Sequence, residues 1–192
     1  MKRRNLLLSF LIASSILSLP KPSLGRGIMP TLEALTKNAK IIVVAQVEEV
    51  ATEQPEDTTN TSGIREITWE RRVATARVLD VWRGTAGEKV QFRASKSWTC
   101  DVSTAVVGET VILFLVDDPK DSVMAIAYSG IGRLPVENNN DNPIVLLYSS
   151  LLTKEIKKLI GVPEETFRGN VDVAMFKQQV QRIALENTAR AK

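Results

Sequence analysis

The chain contains no histidine. That excludes Ser-His-Asp and Cys-His catalytic systems, a histidine proton shuttle and histidine-ligated zinc. It contains one cysteine, Cys100, so no intrachain disulfide can form. A chain of this kind in an oxidising compartment has to rely on its hydrophobic core. It also lacks a hydrophobic run long enough for a membrane span: the longest apolar stretch, from Leu6 to Leu19, is interrupted by serines and an alanine and is followed by Pro20 and Pro22.

The same N-terminal stretch has the form of an export signal. Lys2, Arg3 and Arg4 make a positive start, the apolar run follows, and Ser23-Leu24-Gly25 offers small residues to a signal peptidase. Residues 1–25 are therefore expected to be a signal peptide, with residues 26–192 forming a single mature domain. Four of the 25 lysines and arginines (Lys2, Arg3, Arg4, Lys21) and none of the 22 acidic residues lie in residues 1–25. The mature chain keeps 21 basic against 22 acidic residues, a net charge of −1. The basic character of the whole chain belongs to the leader, so no nucleic-acid partner is expected. No transmembrane segment is expected after cleavage, and the location implied is periplasmic or extracellular.

The mature chain reads mainly as β structure. Leu32 and Leu35 at helical spacing, with Asn38 as a stop, predict a short helix. IIVVAQVEEV from Ile41 predicts a strand covered on both faces at its start and half-exposed at its end. Residues 51–63 are polar and read as a surface excursion. Residues 73–93, VATARVLDVWRGTAGEKVQFR, read as a hairpin turning at Gly84-Thr85-Ala86-Gly87. Ala74, Ala76 and Val78 keep a period of two, and Leu79 and Val81 break it. A β-bulge at Val78-Leu79 would restore the phase and bend the strand, as barrel closure requires. TVILFLV, from Thr110, has the length and character of a central strand. Residues 123–131 predict a further strand, and Glu137 to Asn142 a polar loop. From about residue 150 the pattern turns helical. Ile156, Leu159 and Ile160 follow Thr153, and Val173, Phe176, Val180 and Ile183 form one amphipathic stripe. The expected fold is a small OB-like closed or partly closed β-barrel of about five strands, with a short N-terminal helix and two C-terminal helices.

Several of these elements carry a resemblance. Residues 39–47 (AKIIVVAQV), residues 74–84 (ATARVLDVWRG), residues 88–92 (EKVQF) and residues 107–115 (VGETVILFL) resemble the netrin-like superfamily, the exported OB-type barrels similar to tissue inhibitors of metalloproteinases. The match spans roughly residues 32–134. It implies a fold and an extracytoplasmic address. The inhibitory cysteine of that family has no counterpart, because the expected mature N-terminus is Arg26, and the family's cysteine pairs are missing too. The inhibitory mechanism therefore does not carry over.

Few residues suggest chemistry. Trp69, Arg71 and Arg77 could present a ligand face of the kind OB barrels use, with aromatic stacking and basic groups. The competing reading is ordinary surface charge, since Trp69 supplies the sole aromatic of the three. Asp117, Asp118 and Asp121 lack the ligand spacing and glycine of a calcium loop and fit Asp-Pro turn chemistry better. No metal site and no cofactor is expected. The expectation is an exported, non-enzymatic binding or interaction domain whose ligand is an envelope or extracellular protein or polysaccharide. The alternatives are a carboxylate-based enzyme or accessory acting on glycans, or a structural envelope protein associating through the C-terminal helix.

Cys100 is an odd thiol in an exported chain, a pattern that invites intermolecular pairing. The neighbouring Asp101 would raise its pKa by charge repulsion, which favours an inert, packed thiol. Titration of the native mature protein with a thiol reagent is expected to label Cys100 only after denaturant is added. Stoichiometric labelling of the native state would establish a reactive thiol instead.

Overall fold

The computed structural model describes residues 29–53, 71–94, 104–119, 121–139 and 142–190. The elements run α1 (Leu32–Asn38), β1 (Ile41–Glu53), β2 (Arg71–Arg83), β3 (Lys89–Arg93), β4 (Thr110–Val116), β5 (Ala125–Ile126), β6 (Arg133–Asn139), β7 (Asn142–Tyr148), α2 (Lys154–Leu159), β8 (Arg168–Asp172) and α3 (Val173–Arg190). All eight strands belong to one antiparallel sheet in the order β3-β2-β1-β4-β6-β7-β8, with β5 paired to β4 beside that path.

β1 and β4 sit at the centre because they are apolar on both faces. Ile42 and Val44 of β1 and Ile112 and Phe114 of β4 point into one core. Val43, Ala45 and Val47, with Val111, Leu113 and Leu115, point into the other. All three helices cover the first face. Leu32 and Leu35 of α1, Ile156 of α2, and Phe176, Val180 and Ile183 of α3 close that core with Trp82, Leu134, Val145, Leu147 and Val171. The second core is formed by the sheet curling on itself, where Ala74, Ala76, Val90, Phe92 and Ile126 come from β2, β3 and β5. The expected doubly covered start of β1, the central position of β4 and the three helices are all present. Thr31 caps α1 by accepting from the Ala34 N–H, and Thr153 caps α2 by accepting from the Ile156 N–H.

The bulge expected in β2 is present as well. Val78 pairs with Ala45 and Asp80 with Val44, leaving Leu79 as the extra residue. One inserted residue flips the strand, because side chains alternate with a period of two. Ala74 and Ala76 therefore enter the second core, and Trp82 enters the first, where its ring meets Phe176 edge-on at 5.9 Å. Asp80 Oδ2 accepts from Trp82 Nε1 at 2.9 Å and from Lys177 Nζ of α3 at 2.7 Å, so the flipped segment is clamped to the C-terminal helix.

Closure does not follow from that bend: the sheet is open. The free edge of β4 is shared. β6 takes it along Thr110 to Leu113, and only Leu115 and Val116 remain for β5. β3 touches the β5 segment through a single parallel bridge, Phe92 to Met124, with the Arg93 N–H donating to the Met124 carbonyl at 2.8 Å. The sheet instead continues outward through β6, β7 and β8. These three strands replace the expected polar loop and purely helical C-terminal quarter. β6 carries a proline and a polar end, and β8 (RGNVD) has one large apolar residue. Both hide from a search for hydrophobic alternation. The strand expected over residues 123–131 shrinks to Ala125–Ile126, because Tyr128 and Ser129 (φ 53° each) and Gly130 (φ 91°) form a left-handed turn. Among the described residues no helix is long and apolar enough to cross a membrane.

Gly84 ends β2 at φ 76°, and a Cβ there would lie 2.5 Å from the Lys40 carbonyl oxygen. Neither strain nor clash can be relieved by a side-chain movement. Gly84→Ala is expected to lower the unfolding free energy by at least about 2 kcal/mol. Gly87→Ala, whose nearest neighbour would be 3.9 Å away, is expected to stay within about 0.5 kcal/mol of the parent. Urea midpoints of the two variants test the difference.

Candidate functional site

Arg71 and Arg77 lie on the same face of β2, separated by Val73 and Thr75. They are about 20 Å apart along an extended strand, and each is engaged locally. Arg71 pairs with Glu53 at 2.6 Å and with Asp121 at 2.8 Å. Arg77 donates to Gln46 at 2.8 Å and pairs with Glu48 at 3.2 Å, while Lys89 pairs with the same Glu48 at 2.8 Å. Glu48 is the extra residue where β1 slips against β2. The hydrogen bond from Lys89 leads the effects that hold its carboxyl below the ordinary range; desolvation opposes it, and the charges of Lys89 and Arg77 add to it. The expected ligand-face residues thus belong to two separate ion-paired groups. Trp69, the third expected member, and Cys100 both lie outside the described residues.

Arg71 belongs to the more built of the two groups. The segment after β4 turns through Asp117, Asp118 and Asp121 and lines a pocket of about 220 Å³ with Ser122, Val123 and Met124. Its three carboxylates do not converge on a shared centre. Asp117 pairs with Lys40 at 2.8 Å. Asp118 takes Arg93 at 2.5 Å. Asp121, with its side chain only 5% exposed, takes Arg71 and, more distantly, Arg93. Desolvation raises the Asp121 pKa. The Val123 N–H and the guanidinium groups of Arg71 and Arg93 more than offset that, leaving the carboxyl below its ordinary value. The arrangement fastens the 117–124 segment to the ends of β2 and β3. Among the described residues no group of three or more acidic, cysteine or histidine side chains is placed to hold a metal ion.

A second surface lies at the other end of the sheet. Leu146 and Tyr148 alternate outward on β7, on the face away from the helices, and are 39% and 38% exposed. Phe167, 64% exposed, meets Tyr148 edge-on at 6.4 Å. Arg168 stands directly across from Tyr148 in the β7–β8 register and lays its guanidinium 4.8 Å over the Tyr148 ring. An exposed aliphatic, two aromatics and a stacked arginine form one patch, the composition enriched at the centres of protein contacts. Residues 144–148 (IVLLY) are apolar on both faces, and that run was the available signal. It did not reveal which face the helices would leave bare.

No protein-family model matches the chain, and no curated protein matches it.

The depressed Asp121 pKa sets a sign for pH dependence. As pH falls, the unfolded chain takes up this proton before the folded chain does. The stability contributed by Asp121 is therefore complete above the ordinary value of 3.8 and is lost as pH falls through the lower folded value. Asp121→Asn is expected to destabilise by about 1–3 kcal/mol at pH 7, with the deficit shrinking as pH falls below 3.8. Denaturant titrations at pH 7 and at a series of values below 3.8 check this, and a deficit that does not shrink would contradict it.

Proposed function

We propose that the chain is an exported, non-enzymatic interaction domain that binds an envelope or extracellular ligand through the outer face of β7 and β8. The observation that carries this reading is the Leu146, Tyr148, Phe167 and Arg168 patch. Large apolar side chains are held in a defined, solvent-facing arrangement there, although two cores elsewhere absorb residues of the same kind. Export is inferred from the signal-like residues 1–25. The likeness to netrin-like barrels is kept as a proposal for the curled half of the sheet, where β3, β2, β1, β4 and β5 enclose the second core.

The charged groups support binding over catalysis. Acid–base work at neutral pH needs a carboxyl whose pKa is raised toward neutrality. Asp121 and Glu48 are shifted the other way, Asp121 by the Val123 N–H and then Arg71 and Arg93, Glu48 by Lys89 and Arg77. The stripe Phe176, Val180 and Ile183 is buried in the chain's own core, which favours the β7–β8 face over association through that stripe. A second reading puts the ligand at Arg71, one of the three residues first expected on a ligand face, and the pocket beside it is what favours this.

The test is a binding screen of the mature protein against immobilised envelope polysaccharides and purified secreted proteins, metalloproteases included. At least one interaction is expected, weakened about ten- to thirty-fold by Tyr148→Ala with Phe167→Ala, with the melting temperature little changed. A ligand whose affinity responds to Arg71→Ala but not to the aromatic pair would transfer the site to β2. Absence of any interaction would remove the binding reading.

A further inference from the structure

We infer that the partner of this face is a second copy of the same chain, joined edge to edge through β8. This rests on the reading that the β7–β8 surface is the domain's contact face. Among the described residues β8 ends the strand order, so one row of its backbone groups is not used by the sheet. An unpaired edge of this kind templates the addition of another strand.

What selects a second copy is the sequence of the edge. β8 reads Arg168-Gly169-Asn170-Val171-Asp172. An antiparallel two-fold pairing centred on Asn170 sets Arg168 opposite Asp172 of the partner subunit, and repeats the pair on the other side of the axis. Arg168, Asn170 and Asp172 alternate onto one face of the strand, the face that carries Leu146 and Tyr148. Both charge pairs therefore fall on the bare face, and oppositely charged side chains directly across an antiparallel pair attract. Charged residues on an edge normally deter pairing with foreign strands. Here the two are placed symmetrically about an uncharged centre, so they deter other strands and match their own copy. Asp172 commits Oδ1 to the Met175 N–H at the start of α3, and its second oxygen is the one that would meet the arginine.

The same register brings Phe167 to the seam, and the Tyr148 patches of the two copies become neighbours on one continuous face. The two-fold axis makes the contact isologous and closed, so the assembly stops at a dimer. The paired edge is short, and the dimer is expected to be weak.

Sedimentation of the mature protein from about 5 to about 500 μM, the range suited to small interfaces, is expected to show a monomer–dimer equilibrium. Arg168→Asp sets acid against acid and should weaken it at least ten-fold. Asp172→Lys should do the same by setting base against base. An equimolar mixture of the two variants restores both pairs and should form the heterodimer. If Asp172→Lys fails to fold because α3 loses its cap, a cross-link replaces that arm. Asn170→Cys in a Cys100→Ser background should oxidise to a covalent dimer across the axis, where facing Cα atoms lie within disulfide reach. Gln178→Cys, on the exposed side of α3, should not. A monomer at every concentration with no Asn170→Cys cross-link above that control overturns the inference. So does a dimer indifferent to Arg168→Asp. A monomer that still binds a screened ligand through Tyr148 and Phe167 overturns self-pairing alone and leaves the interaction-domain reading standing.

Discussion

The antiparallel pairing of β1 with β4 is the constraint on which the molecule depends. Six consecutive residue pairs, Ile41 with Leu115 through Gln46 with Thr110, run without a register shift. Their side chains alternate between two separate cores. A slip of one residue would exchange the two sets, placing Phe114 where Leu113 belongs, so the pairing is specified from both faces at once. Every other element is attached to this pair. β2 and β3 extend it on one side, β5 and β6 divide the remaining edge of β4, and the helices cover one face.

The β2 bulge decides how the two cores share the chain. Before Leu79 the strand feeds the curled core with alanines, whose small size allows β1, β2 and β3 to close tightly around Phe92. After it, Trp82 turns into the helical core and Asp80 is left at the boundary, bound by Trp82 and Lys177. This clamp ties the middle of the chain to its last helix. It also accounts for the inner stripe of α3: Phe176 packs on Trp82, and Val180 and Ile183 are buried beside it.

Charge and apolar surface are distributed differently across the sheet. At the β2–β3 end, Arg71, Arg77, Lys89 and Arg93 each meet a carboxylate, so exposed cations there are largely committed to holding strands and the 117–124 segment in place. Pairs of this kind contribute little individually on an open surface, although Asp121 is sheltered and its pairs count for more. At the β7–β8 end the pattern reverses. The cation Arg168 stacks on an aromatic ring, and the apolar side chains remain in solvent. The second end is the one whose composition suits association.

Local signals determined much of the architecture. The caps at Thr31 and Thr153, the stripe of α3, the two-sided apolarity of β1 and β4 and the phase break at Leu79 are all short-range features. A helix or strand period, or its interruption, can be read over a few residues. The missing histidine bounded the available chemistry in the same way. Tertiary structure alone decided the rest. That β6 would take most of the β4 edge, and so keep the sheet open, depends on competition between β5 and β6 for one partner, which no local period records. β8 is a strand because β7 offers it a partner; RGNVD has almost no β signal of its own. Arg71 and Arg77 look like free basic groups in one dimension and prove to be paired with Glu53, Asp121 and Glu48 in three. The patch at Leu146, Tyr148 and Phe167 is equally invisible in one dimension, since an apolar run records that residues can be buried, and only the placement of the helices determines which of them are not.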